Sequence, residues 1–164
     1  DIMYINFLIQ MEYKKMENLK VCCLCLCLIF VNNLSAAEHQ IKMLSSSNGQ
    51  LMIFEPPVLE INKGDSVKWI SSQPGHNSAS INEMLPVGSK PWEGSVNEEI
   101  SINFDVEGIY GYKCTPHYIL GMVGLIVVGD SKDNLNAAKK FALQEETKFA
   151  TNKDRFTKYF SEIK

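Results

Sequence analysis

The chain has little of what marks a nucleic-acid or membrane protein. It carries no block of like charge, its formal net charge is -3 and its pI is about 5.6. These values argue against a polyanionic partner. The apolar run "VCCLCLCLIFV" at 21–31 is 11 residues long, well short of the roughly 20 that a membrane-spanning helix needs. There are no internal repeats and no low-complexity segments. Histidine is scarce, with only His39, His76 and His117. Cysteine is concentrated in one place: four of the five lie in that apolar run, and the fifth is Cys114. Apolar residues make up 45% and charged residues 21%, which excludes a disordered or fibrous chain. A length of 164 residues is enough for one domain with a real core.

The apolar run has informative flanks. Lys14, Lys15 and Lys20 precede it, and "NNLSAAEHQ" follows, with the small residues Ser35 and Ala37. A basic start, a short apolar middle and a small-residue end read as a secretory signal peptide. Initiation is then expected at Met11 or Met16, with 1–10 as read-through of upstream sequence. No small residue precedes a cysteine as a lipoprotein signal requires, so no lipid anchor is expected, and no membrane association after cleavage. The expected organisation is 1–37 as upstream residues plus signal peptide, 38–130 as a β domain and 131–164 as a helical extension. Cleavage after Ala37 puts Ser35 at the -3 position. Cleavage after Ala36 would instead begin the mature chain Ala-Glu-His, whose free amine and His39 could chelate Cu(II). The leader holds three basic and three acidic residues, so the mature part keeps the charge of -3. It also keeps a single cysteine, Cys114, which cannot pair within the chain in an exporting, oxidising compartment.

From about 39 to 128 the sequence reads as short strands separated by turn residues. "HQIKML" precedes "SSSNGQ"; "LMIFEP" stops at Pro56 and Pro57; "VLEI" leads into the turn "NKGD". "SVKWI" sets Val67 and Trp69 on one face, and "EISINFDV" does the same with Ile100, Ile102 and Phe104. "VEGIYGYKC" and "VGLIVV" complete a set of seven or eight strands, which predicts an all-β sandwich or barrel. Between them, 80–99 reads as one short helical turn near Ile81–Met84 and then loop. The tail has helical spacing. Leu135, Ala138, Phe141 and Ala142 share one face, and Phe156, Tyr159, Phe160 and Ile163 share another, so both helices should pack on the sandwich. Ser131 or Asp133, and Thr151 or Asn152, are the expected N-caps.

The chemistry is concentrated in "YKCTPHYILGMVGLIVVGD", 112–130. Cys114 should end one strand and Met122 begin the next, with His117 on the loop between them. Pro116 and Gly121 shape that loop. A thiol, an imidazole and a thioether therefore converge, and His76, in "QPGHNSAS" after the strand "SVKWI", is the natural fourth donor. Structural zinc sites prefer several cysteines and histidines. Two imidazoles, one thiolate and a weak axial thioether form the blue-copper set. With His76, Cys114, His117 and Met122 all spent on one copper ion, no position is left open for substrate, whereas catalytic metal sites keep one open. The set points to an electron carrier rather than an enzyme.

"GHN" followed by "YKCTPHYILGMVGLIVVGD" resembles the pseudoazurins, a cupredoxin family of exported blue-copper proteins. The similarity extends through "LMIFEPPVLEINKGDSVKWI" to the tail helices. The resemblance implies a Greek-key β-sandwich of eight strands with two C-terminal α-helices and one type 1 copper. It also implies a periplasmic, monomeric carrier that passes single electrons to a reductase of denitrification such as copper nitrite reductase, with a c-type cytochrome as another redox partner. It implies that Asn77 ties the two ligand loops together and supports the thiolate, and that Met52 lies close to the exposed imidazole. Pro116, with no N–H to give, withholds a hydrogen bond from the thiolate. The edge of His117 is the expected electron port, rimmed by Met52, Pro74, Pro116, Ile119 and Leu120 for brief docking. The family rings this face with lysines. Here Lys113 and Lys90 remain and Pro74 stands at a family lysine position, which weakens steering by charge. The rival reading is a copper-storage or copper-delivery protein, which would favour exposed, exchangeable ligands.

Overall fold

The computed structural model describes residues 2–27, 36–130 and 132–163. The chain divides into two units, 1–35 and 36–164. In the first, α1 runs over Ile2–Cys27. No helix among the described residues is long and apolar enough to cross a membrane. The end of the apolar run and Ser35, together with Ser131, lie outside the described residues.

The second unit carries eight strands and two α-helices. The strands are β1 (Glu38–Ser47), β2 (Gln50–Glu55), β3 (Val58–Ile61), β4 (Ser66–Ile70), β5 (Ala79–Ser80), β6 (Ile100–Asn103), β7 (Gly108–Lys113) and β8 (Val123–Val128). They form two four-stranded sheets in the orders β2-β1-β4-β6 and β3-β8-β7-β5. The β1/β4 and β3/β8 pairs are parallel and the others antiparallel. The helices are α2 (Leu135–Glu146) and α3 (Arg155–Glu162).

The unbroken apolar text of β8 has a direct cause. Ile126 and Val128 point between the sheets, while Val123, Leu125 and Val127 point the other way, onto the helices. A strand covered on both faces has no polar side to write. On β7, Tyr110 and Tyr112 join the core between the sheets, with Trp69, Trp92, Phe104 and Phe54. Ile109 faces Ala138, Ala142, Phe156 and Phe160. The strands that bracket the site are thus clamped between two apolar layers.

Two local expectations need correction. The dipeptide strand β5 was hidden in what reads as loop, because two residues carry no periodicity. The helix starts also differ: Asn134 and Asp154 occupy the N-cap positions of α2 and α3, and neither side chain closes a cap bond. Asn134 is used elsewhere, accepting from Ile109 N at 2.9 Å and donating to Ile109 O at 2.7 Å. Thr151 and Asn152 both donate to the Leu120 carbonyl. A side chain committed to a neighbouring segment cannot also cap its own helix.

Candidate metal centre

Two loops at one end of the sandwich build the site. The first leaves β4 and turns at Gly75, whose φ of +94° suits a residue without Cβ. It delivers His76. The second joins β7 to β8, with Cys114 directly after β7, His117 before a 3₁₀ turn at Tyr118–Leu120, and Met122 directly before β8. The Cys114 N–H donates to Met122 O at 3.0 Å, and the Met122 N–H donates to His117 O at 3.2 Å. The loop is closed by its own backbone.

His76, Cys114 and His117 converge. Cys114 Sγ lies 3.7 Å from His76 Nδ1 and 3.5 Å from His117 Nδ1, and the two Nδ1 atoms are 3.1 Å apart. All three donor atoms fall within 4.8 Å of one another. Cys114 and His76 are fully buried, and His117 is half-buried. Met122 is also fully buried and belongs to the same core cluster as Cys114.

Burial lowers the pKa of His76, with the nearby His117 adding to the effect. The imidazole is therefore held neutral, with a lone pair to give. Burial pushes the Cys114 thiol up, opposed by the backbone N–H groups of Asn77 and His117. A thiolate at this place requires a cation among the donors. Two imidazoles and one thiol in mutual contact, two of the three fully buried, fit a soft metal ion.

Around them, Asn77 is buried and spans three segments. Its amide donates to Gly94 O at 2.9 Å and to Thr115 Oγ1 at 3.2 Å, and its Oδ1 accepts from Thr115 N at 2.7 Å. It therefore joins the residue after His76 to the residue after Cys114. Pro116 is exposed. Met52 is half-buried, packs against the core cluster that holds Cys114 and Met122, and has φ of +51° in the middle of β2.

Sequence reasoning missed other contributors. The Ser45 hydroxyl contacts His76 Nε2 at 2.9 Å. A metal held at Nδ1 would leave the proton on Nε2, and the imidazole would then donate to Ser45 Oγ. Asn97 fixes the His76 loop by donating its N–H to His76 O at 2.7 Å and accepting from Gly75 N at 2.6 Å. Arg155 donates to the carbonyls of Leu51, Met52 and Gly121. No motif announces these partners, because the sheet register and the docked tail bring them in from 22 to 103 residues away in sequence.

The other marked residues are placed as follows. Pro74 and Ile119 are exposed, and Leu120 is half-buried. Lys113 sits over the Tyr118 ring at 4.8 Å. Lys90 lines a cleft with Trp92 and Tyr110. His39 Nε2 pairs with Asp65 Oδ2 at 3.0 Å, and the Ala37 N–H donates to Asp65 Oδ1 at 2.8 Å.

The profile "Copper binding proteins, plastocyanin/azurin family" matches residues 40–129. The chain is 46% identical over 105 residues to the pseudoazurin of Methylorubrum extorquens, covering 64% of this chain and 71% of that one. It is 39% identical over 104 residues to the pseudoazurin of Paracoccus pantotrophus, with 63% and 72% covered. The crystal structure of pseudoazurin from Methylobacterium extorquens superimposes with a TM-score of 0.68 at 39% identity, covering 77% of this chain and 99% of that one. The cupredoxin sandwich, the His-Cys-His cluster and these similarities agree: the chain belongs to the pseudoazurins, blue-copper electron carriers with a single type 1 copper that are not enzymes.

Proposed function

We propose that His76, Cys114, His117 and Met122 are the copper ligands of an exported, periplasmic, monomeric carrier, and that it delivers single electrons to a denitrification reductase such as copper nitrite reductase. The copper supplies a one-electron couple that soft sulfur and imidazole donors can hold in both oxidation states. The chain's own residues do the rest. Asn77 keeps the His76 and Cys114 loops in one register. Pro116 offers the thiolate no N–H, and the backbone N–H groups of Asn77 and His117 support it instead. Ser45 holds the ring of His76.

The observation that carries the reading is the asymmetry of the two imidazoles. His76 is fully buried, while His117, in contact with the same thiol, is half-exposed. The half-exposed ring stands on a loop whose neighbours Pro116 and Ile119 are exposed and apolar, with Ile119 at 54%. A redox partner that docks briefly needs such a small desolvated contact. Met52 is read as part of this rim. The denitrification partner and the periplasmic location rest on the family resemblance and on the leader-like N-terminal sequence.

The storage or delivery reading is weaker on this geometry. Its best support was the Ala-Glu-His terminus, yet both His39 and the Ala37 nitrogen are engaged by one buried carboxylate, Asp65. A visible spectrum after addition of Cu(II) tests the site. An intense band near ~600 nm is expected from the trigonal thiolate set, and it should vanish in Cys114→Ser. Stopped-flow reduction of a copper nitrite reductase tests the partner. A blue protein that transfers no electrons to it would leave the carrier standing and remove that partner.

A further inference from the structure

The loop between His117 and Met122 has three consecutive carbonyls, and each accepts a hydrogen bond from the C-terminal extension. Ile119 O accepts from Ala150 N at 2.7 Å. Leu120 O accepts from Thr151 Oγ1 at 3.0 Å and from Asn152 Nδ2 at 2.8 Å. Gly121 O accepts from Arg155 Nη1 at 2.8 Å. The fit is close: Gly121 has φ of +73°, and a Cβ there would meet Asn152 Cβ at 3.0 Å and Phe149 Cδ2 at 3.1 Å.

Arg155 is the odd member of this set. It is 5% exposed, and its guanidinium donates to three backbone carbonyls, those of Gly121, Met52 and Leu51. Burying a guanidinium against carbonyl dipoles is a costly way to pack a helix, and an apolar side chain would do that more cheaply. A rigid fork of N–H donors can do what an apolar side chain cannot: bridge two segments at fixed geometry. One segment is β2 at Met52, held at positive φ. The other is the peptide that joins Gly121 to Met122.

That peptide matters because both its polar atoms are then fixed. Arg155 holds the Gly121 oxygen, and the Met122 N–H is held by His117 O at 3.2 Å. The plane leading into Met122 cannot rotate, and the Met122 carbonyl is itself tied to Cys114 N at 3.0 Å. Only the side-chain torsions of Met122 stay free, in a fully buried setting.

We infer that the C-terminal helical extension is the template for the His117–Met122 loop, with Arg155 as the positioning residue that sets where the Met122 thioether sits. The inference rests on the copper reading above and goes beyond it: the tail tunes the reduction potential through the axial donor, which is a recognised lever on such sites.

The test compares three variants of the mature protein. Arg155→Lys keeps the charge and loses the fork. Thr151→Val/Asn152→Gly removes two donors to Leu120 O at exposed or half-exposed positions, and glycine tolerates the φ of +51° at residue 152. Glu146→Gln is the comparison. It weakens the α2–α3 junction, where Glu146 accepts from Thr157 N at 3.1 Å and Thr157 Oγ1 at 2.6 Å, without touching the loop. The readouts are reduction potential, the relative intensity of the two visible thiolate–copper bands, and apoprotein hydrogen exchange at the Met122 N–H. The first two variants should raise the potential, because a slack thioether supports the oxidised state less. They should also change the band ratio and speed exchange at Met122. Glu146→Gln should lower the urea midpoint and leave potential and bands at wild type. A blue Arg155→Lys protein with wild-type potential and bands overturns the inference, as does an equal shift in Glu146→Gln. Should Arg155→Lys not fold, the Thr151/Asn152 variant decides by the same readouts. A wild-type protein with no thiolate band overturns the copper reading, and this inference with it.

Discussion

Asn77→Ala removes more than one hydrogen bond. In the folded chain the Asn77 amide donates to Gly94 O and Thr115 Oγ1, and its oxygen accepts from Thr115 N at 2.7 Å. Asn77 is 3% exposed and Gly94 is buried, while Thr115 is exposed. After truncation Thr115 can turn to water, so its loss is that of an ordinary bond, about 1 kcal/mol. The Gly94 carbonyl loses the amide that serves it inside the protein, and a stranded buried acceptor costs about 1–3 kcal/mol. The expected loss is therefore about 2–4 kcal/mol of folding free energy. Urea unfolding of the apoprotein measures it, since bound metal would add its own linkage to the folded state. Pairing the change with Thr115→Val in a double-mutant cycle isolates the cross-loop component. A loss below about 1 kcal/mol would show that the two loops hold register without Asn77 and would refute the reasoning.

Four other outcomes follow from particular contacts. Ser45→Ala removes the hydroxyl that contacts His76 Nε2; copper affinity should fall by about 10–100-fold, the usual cost of losing such an outer partner, as read by competition with a chelator. In a chain that keeps Ala37, Asp65 is held at about 2 by the Ala37 N–H, His39 and the Asn62 N–H; a depressed carboxylate contributes stability above about pH 4 that is lost as pH falls toward about 2, at most about 2 kcal/mol, so apoprotein urea midpoints of that chain should drop across that window, and Asp65→Asn or removal of Ala37 should flatten the drop. Gly124→Ala would set a Cβ 2.3 Å from Tyr112 Cζ, and a buried ring cannot step aside, so about 1–3 kcal/mol should be lost in urea unfolding. Electron transfer to an acidic partner should fall only shallowly with added salt, because the chain is net acidic, Pro74 offers no charge and Lys113 is engaged over Tyr118; a steep decline in a salt series would contradict this.

Much of the architecture was legible because burial writes itself into periodicity. Val67 and Trp69 alternate as expected, and both are fully buried. The tail helices announce themselves through Phe156, Tyr159 and Phe160, which dock on β8. The core of the site was legible for a different reason: Cys114 and His117 share one short loop, and so few histidines remain that His76 stands out as their partner. What could not be read are contacts that depend on three-dimensional register. Ser45 is an ordinary polar residue on β1 until the sheet places it beside His76. Arg155 reads as a solvent-facing helical charge, yet it is buried because the tail folds over the ligand loop. Thr151 and Asn152 look like caps, and the loop claims them instead.

The same register explains how the site can exchange an electron without reshaping itself. Each proposed donor residue is held through a backbone or side-chain group other than its donor atom. The His76 carbonyl accepts from Asn97 N and its ring contacts Ser45. Cys114 is tied through its N–H to Met122 O. His117 accepts from Leu120 N and Met122 N on one carbonyl and donates its own N–H to Cys114 O. Met122 is bracketed by those bonds and by the Arg155 clamp on the preceding carbonyl. None of these partners depends on the oxidation state of a bound ion, so the geometry they impose should be common to both states. Fixed dipoles that need no rearrangement when charge changes keep the energetic cost of the transfer low. A storage protein has the opposite need, ligands that can let go, and the four donors proposed here, each held from outside, are poorly suited to release.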